Sequence, residues 1–301
     1  MSLIYKLPKV RGSYREDAIL AKTNWFGVGG PAEVLFRPED VNDLSDFLKD
    51  KPEFVPVTVI GVGSNLLVRD GGIDGVVVRL GRGFTDIKVE DNKVIAGAGA
   101  LSFNVSTLAK SYGLTGLEFL VGIPGSIGGA IAMNAGAYGS EVSTVLIEAE
   151  VIDEHGQIHI VKPEDIGFIY RGNTMPDGWI FTRGVFRCES GDPKAIEEKM
   201  NEISSKREAT QPVKSRTSGS TFVNPIGVKK AWQLIDESGC RGLQIGDATV
   251  STKHCNFLIN NGNATAADLE LLGETVRKKV MEHSGIMLEW EVKRIGKGLD
   301  N

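Results

Sequence analysis

The 301-residue chain has little cysteine, little histidine and no excess of basic charge. Its three cysteines, Cys188, Cys240 and Cys255, are odd in number, widely spaced and without a CxxC pair. That excludes a disulfide framework and the common zinc spacings, and it fits a reducing cytoplasm. The four histidines include no HExxH. His155 and His159 stand four apart, but their setting reads as a turn and a strand, where four residues span about 13 Å. That is too far to share one ion, so no metal site is expected. Lys and Arg number 34 against 39 Asp and Glu, a formal net charge of −5. Mild acidity argues against nucleic-acid binding and against docking on an anionic membrane. The N-terminal residues contain no apolar signal-peptide core, so none is expected. The longest uncharged stretch, residues 119–140, is broken by six glycines, Pro124 and Asn134. Such residues sit badly in a spanning helix, and the stretch reads as a buried glycine-rich loop with a short strand or helix.

Glycine is what the chain has in excess: 37 of 301 residues, about 12 % against an ordinary 7 %. The length suggests two domains at roughly 150 residues each. Short β-rich runs at 55–60, 76–80 and 93–96 are separated by helical patterns at 41–48 and 103–112, which points to an α+β or α/β layer. Residues 146–152 and 157–161 flank the turn-like 153–156 and read as a hairpin. A strand follows at 180–187. A charged helix at 194–208 reads as a bridge between domains, and two helices follow at 230–237 and 265–283. In the second of these, Leu269, Leu272, Val276 and Val280 have helical spacing, and Thr265 with Asp268 forms a capping-box pattern. The chain closes on an expected strand at 287–295.

Two glycine clusters carry the first hint of chemistry. Gly61-Val62-Gly63-Ser64-Asn65-Leu66-Leu67 directly follows an apolar strand. Its glycines let the backbone turn and approach a ligand, and successive N–H groups in such a turn favour an anion. It is not the Rossmann fingerprint, because Leu66 stands where the third glycine belongs, and no Gly-Lys-Ser/Thr follows to make a P-loop. A plain β-turn uses the same residues. The second cluster runs from Gly122 through Pro124, Gly125, Ser126, Gly128 and Gly129 into Met133-Asn134-Ala135-Gly136. Its small residues leave room for a flat ligand that brings its own reactivity; a tightly packed small-residue core is the alternative.

The order of the motifs is more specific than any one of them. Thr23-Asn24-Trp25-Phe26-Gly27-Val28-Gly29-Gly30-Pro31-Ala32, then 61–67, 122–129 and 133–139, then Tyr170-Arg171, Gly219-Ser220-Thr221-Phe222 with Asn224-Pro225, and Glu291-Val292 resemble the UDP-N-acetylenolpyruvoylglucosamine reductase (MurB) family from about Ala21 to Gly296. The length is similar to the shorter form of that family. The resemblance implies an α+β, FAD-binding fold of the vanillyl-alcohol-oxidase type. Two α+β subdomains, at 1–85 and 86–200, would hold FAD. A third α+β domain, at 201–301, would bind substrate and return its last strand to the active site. It implies a cytoplasmic, monomeric enzyme of peptidoglycan precursor synthesis. NADPH reduces the flavin, and the enolpyruvyl double bond of a UDP-sugar is then reduced to UDP-N-acetylmuramate. FAD contacts are expected from Gly61, Gly63, Ser64, Asn65, Leu66, Gly122, Pro124, Gly125, Ser126, Gly128, Asn134 and Gly136. FAD is expected to be non-covalent, since no His or Cys lies in these loops.

The same resemblance assigns the catalytic roles. By residue type alone Arg171 reads as a surface arginine, Ser220 as a turn serine and Glu291 as an outward-facing strand residue. In the family pattern Arg171 stabilises charge developing beside the substrate carboxylate, which a guanidinium can grip by two parallel bonds. Ser220 donates the proton. Glu291 is expected to be protonated, or tied to Arg171, as that charge develops. Glu289 shares its face and is the decoy. Tyr170 and Asn224 are expected at the substrate, and His254-Cys255-Asn256-Phe257 reads as structural packing. Two departures stand out. Val223 occupies a place where the family commonly has a basic residue, with Lys214 or Lys229 as candidate replacements, and Asn173 stands in place of a serine. A different FAD oxidase of the same fold and a non-catalytic nucleotide-binding module are the competing readings.

Overall fold

A computed structural model describes residues 2–299. The fold is α+β, and the chain forms two compact units. The first contains residues up to Glu16, Val34–Val62 and Gly75–Lys206. The second contains Asp17–Glu33, Gly63–Asp74 and the residues from Arg207 on.

A four-stranded sheet runs in the order Ser13–Ile19, Pro31–Arg37, Ile73–Arg79, Val57–Ile60. Val57–Ile60 pairs in parallel with Val76–Arg79. Val76, Val77 and Val78 are all buried, the continuous apolar run of a strand covered on both faces. The strand expected at 55–60 begins only at Val57, because Pro56 has no N–H to pair. Helix Val41–Asp50 starts where the Asp40 side chain accepts the Asp43 N–H, a standard N-cap bond. Its Leu44, Phe47 and Leu48 join Phe36, Val76 and Val78 in one core, with Phe36 and Phe47 rings 4.7 Å apart.

The larger sheet of the first unit has five antiparallel strands in the order Ile158–Val161, Leu146–Ile152, Ile180–Arg187, Lys93–Gly97, Ile87–Glu90. Leu146–Ile152 and Ile158–Val161 form the expected hairpin. Its turn closes because the Asp153 carboxylate accepts the N–H groups of His155 and Gln157, while Gly156 takes the positive φ of 77° that favours glycine. His159 bonds Asp153 at 2.8 Å and stacks on Trp179. Helices Ser102–Ser111 and Ile127–Ala132 contribute Val105, Ala109, Ile127 and Ile131 to the core beneath this sheet. The stretch 119–140 resolves into a 3₁₀ turn, helix Ile127–Ala132 and a short hairpin of Gly136–Ala137 with Ser140–Glu141.

In the second unit, helix Ala266–Ser284 presents Leu269, Leu272, Val276 and Val280 to a core shared with Phe222, Leu234, Val250 and Leu258. Thr265 and Asp268 form the expected capping box. The Asp70 carboxylate also accepts the N–H groups of Ala266 and Ala267, favourable at a helix N-terminus. The terminal strand is shorter than expected: only Lys293–Ile295 pairs, in parallel with Leu66–Val68. The segment changes partners on the way. Residues 289–292 bond the 221–223 strip around a single Phe222–Trp290 bridge, so no continuous ladder forms from 287. No described helix is long and apolar enough to cross a membrane.

Candidate active site

In the first unit a cavity of about 310 Å³ opens where strand Val57–Ile60 gives way to Gly61. It is lined by backbone and small side chains: Gly61, Gly99, Ser126, Gly128, Gly129 and Ala132, with Trp179 and Phe181 beside them. The sequence places Gly61 and Ser126 sixty-five positions apart, and the fold brings them into contact. A Cβ at Gly61 would lie 2.6 Å from the Ser126 Oγ, so any larger residue there would require the serine hydroxyl to turn away. The 125–128 segment is tied down by its own backbone. Ser102 N–H donates to Gly125 O, Ile127 N–H to Ala100 O and Gly128 N–H to Ala98 O. Gly122 has a different use: a Cβ there would meet the Tyr138 ring at 2.7 Å, so its smallness serves packing.

Asn134 and Arg171 are joined through the neighbouring hairpin. Asn134 is buried at positive φ, and its amide donates to Glu141 Oε1 and Ile169 O while accepting the Ser143 N–H. It therefore fastens the 134–143 loop to the 169–172 turn, and it lines a second, open cavity with Glu141, Phe168 and Tyr170. Arg171 itself takes φ 58°. Such a conformation costs a non-glycine residue about 1–3 kcal/mol, and strain of this kind clusters at functional sites. Its guanidinium donates to Gly136 O at 3.1 Å and lies 5.0 Å from the Tyr170 ring centre. Asn173 closes the turn by donating to Ala132 O and accepting from Met175 N–H, so this departure from the family pattern is locally satisfied.

The second unit gathers Asn65, Ser220 and Glu291. Gly63, at φ 69°, approaches Asn24 so closely that a Cβ would lie 2.5 Å from its Cα. Asn24 in turn ties the 20–28 turn by donating to Leu20 O and Val28 O and accepting from Gly27 N–H. The Asn65 side chain donates to Glu291 O at 3.1 Å, and Asn65 O accepts the Lys293 N–H. Glu291 N–H donates to Thr221 O at 2.8 Å, which sets Glu291 beside the peptide that follows Ser220. Ser218 Oγ donates to Leu66 O. Asn224 is exposed, and its Oδ1 accepts the Ala231 N–H at the start of helix Ala231–Glu237. Lys229, a candidate replacement for the charge missing at Val223, is held by both oxygens of Glu237.

Two supports for this strip carried no strong signal in sequence. Asn256, in the segment read as packing, accepts the Phe222 N–H at 3.0 Å and donates to Phe222 O at 2.8 Å, while its own carbonyl accepts the Thr221 N–H. It is a clamp on the serine strip. Behind the other side, Trp290 is pinned. Its indole donates to Glu274 at 2.8 Å, and the Arg294 guanidinium lies 4.6 Å from its ring centre. Arg294 also bonds Glu270 and Glu274, and Arg69 makes a two-pronged bond to Glu270 with both contacts at 2.9 Å. Those bonds, Arg69 first, outweigh burial and hold the Glu270 carboxyl below its ordinary range. His254 lies edge-on to Phe257 with a buried Nδ1 that finds no partner, and burial pushes its pKa down.

The first-unit cavity suits a flavin dinucleotide. Glycine backbone permits a flat ring system to lie close, and no carboxylate lines the space to repel a diphosphate. Residues 32–162 match the FAD binding domain family, and residues 211–295 match the C-terminal domain of UDP-N-acetylenolpyruvoylglucosamine reductase. The UDP-N-acetylenolpyruvoylglucosamine reductase of Parvibaculum lavamentivorans is 57 % identical over 98 % of this chain and 95 % of its own. That of Rhodospirillum rubrum is 53 % identical over 99 % of this chain and 95 % of its own. The crystal structure of the Thermus caldophilus enzyme superposes with a TM-score of 0.82 at 36 % identity, covering 95 % of this chain and 99 % of that one. Identity at this level over nearly the full length of each protein leaves one conclusion: the chain belongs to the UDP-N-acetylenolpyruvoylglucosamine reductase family.

Proposed function

We propose that the chain is an NADPH-dependent flavoenzyme that reduces the enolpyruvyl ether of UDP-N-acetylglucosamine to UDP-N-acetylmuramate. When bound, FAD supplies the hydride equivalent. Reduction of the double bond places negative charge on the carbon next to the substrate carboxylate, and a preorganised cation lowers that barrier most effectively. Arg171 fills this role. Its strained backbone and its bond to Gly136 O fix the guanidinium before substrate arrives. Ser220 delivers the proton to the carbanion-like carbon; a hydroxyl is a weak acid, but an enolate-like centre is a strong base. Glu291 is the third catalytic group, and Tyr170 and Asn224 bind substrate.

The observation that carries this reading is the bond from Glu291 N–H to Thr221 O. It gives the serine strip and the glutamate strip a fixed register, as proton delivery by a positioned donor requires. Residues 1–85 and 86–200 would serve FAD, and 201–301 the UDP-sugar, in a cytoplasmic monomer.

The test is a visible spectrum of the purified protein under anaerobic conditions. A yellow protein that bleaches with NADPH and recolours on adding the enolpyruvyl UDP-sugar supports the reading. Recolouring with oxygen alone overturns the substrate, and a colourless protein that takes up no FAD overturns the cofactor role.

A further inference from the structure

Arg79 is the one cation that lines the first-unit cavity. It is the last residue of strand Ile73–Arg79 and sits in register beside Ile60, immediately before Gly61. Its side chain therefore leaves the sheet next to the start of the first glycine loop. Arginines this enclosed are normally paired, yet among the described residues Arg79 makes no ion pair and no side-chain hydrogen bond. Its charged neighbour is Arg37, another cation, and burial together with Arg37 pushes the Arg79 pKa below its ordinary value. An uncompensated guanidinium in a partly enclosed site costs free energy unless an anion completes it. Every other lining group is apolar or neutral, and no carboxylate faces the space.

We propose that Arg79 binds the diphosphate of FAD and supplies the countercharge that the glycine loops, having only uncharged polar groups, do not. A guanidinium matches two phosphate oxygens by parallel bonds. The assignment rests on FAD as the cofactor and not on the identity of the reduced substrate, so its test needs neither NADPH nor UDP-sugar.

The test compares FAD and riboflavin, which lacks phosphate, by equilibrium ultrafiltration with the full-length protein and Arg79→Gln. Loss of a charge-assisted bond weakens FAD binding about 10- to 100-fold, while riboflavin affinity stays within about twofold. Arg79→Lys restores part of the loss, because a point charge keeps the attraction but not the two-pronged geometry. The flavin midpoint potential stays unchanged in both variants. Equal weakening of FAD and riboflavin overturns the proposal, as does unchanged FAD affinity. A shifted potential at unchanged FAD affinity also overturns it, by moving the cation to the flavin ring. Should Arg79→Gln fail to fold, Arg79→Met keeps the apolar stem and is read by the same ratio of affinities. Failure of the wild-type protein to bind FAD overturns this proposal together with the cofactor role, whereas failure to turn over the UDP-sugar leaves it standing.

Discussion

Gly273→Ala sets helix propensity against packing at a single atom. Gly273 lies in the interior of helix Ala266–Ser284, where alanine is ordinarily favoured by about 0.8–1.0 kcal/mol. An added Cβ would stand 2.1 Å from Trp290 Cη2 and 2.4 Å from Cζ2. Carbon atoms pack at about 3.5–4.0 Å, so the indole must withdraw by more than about 1 Å. It cannot do so freely, because Glu274 holds its N–H, Arg294 covers one side and Phe222 lies 5.2 Å away. Overpacking costs about 1–3 kcal/mol, and loss of a bond to a charged acceptor about 1.5–3 kcal/mol. Less the propensity gain, the net loss is about 1.5–5 kcal/mol, a fall in Tm of about 2–8 °C for a chain of 301 residues. Because Trp290 is bridged to Phe222 and adjoins Glu291, substrate-driven reoxidation of the flavin falls as well. Thermal unfolding followed by tryptophan emission reads the first effect and stopped-flow absorbance the second. A variant that melts at or above the wild-type temperature would show that helix propensity outweighs the clash with Trp290.

Three further outcomes are expected. Asn256→Ala leaves the buried N–H and C=O of Phe222 without partners, at about 1–3 kcal/mol each; denaturant titration and kcat both fall, and an unchanged kcat would show that the clamp does not position the serine strip. Asp43→Ala orphans the N–H groups of Arg11, Gly12 and Glu39, which its buried carboxylate accepts, and should cost about 3–5 kcal/mol by circular-dichroism melting; a loss under about 1 kcal/mol would contradict that. Glu270 has a folded pKa held below its ordinary 4.5 by Arg69, so its contribution is present above 4.5 and is lost as pH falls through the lowered folded value. Acid unfolding of Glu270→Gln should accordingly be flatter than wild type below about pH 4.5, and parallel curves would remove the network from the account.

Periodicity made the long elements legible. The helix led by Thr265 and the 146–161 hairpin are set by local chemistry, a capping box and an Asp153–Gly156 turn, and local chemistry is written in consecutive residues. The terminal strand was not legible, because its pairing changes partner between residues 292 and 293, and nothing local marks a change of partner. The meeting of Gly61 with Ser126 is a long-range contact that the glycines permit but do not announce. Asn256 and Gly273 were invisible as supports for the same reason. An asparagine in an apolar segment and a glycine in a helix look like neutral choices until the atoms they must meet are placed. The roles proposed for Arg171, Ser220 and Glu291 rest on motif order, since no single one stands out by residue type.

The most direct test of the account is Ser220→Ala, read as two half-reactions. With Ser220 as proton donor, bleaching of the flavin by NADPH proceeds within a few-fold of wild type. Recolouring by the enolpyruvyl UDP-sugar slows about 10²- to 10⁴-fold, the usual range for loss of a general acid. Recolouring at the wild-type rate would contradict the assignment of Ser220 and with it the mechanism proposed for this chain.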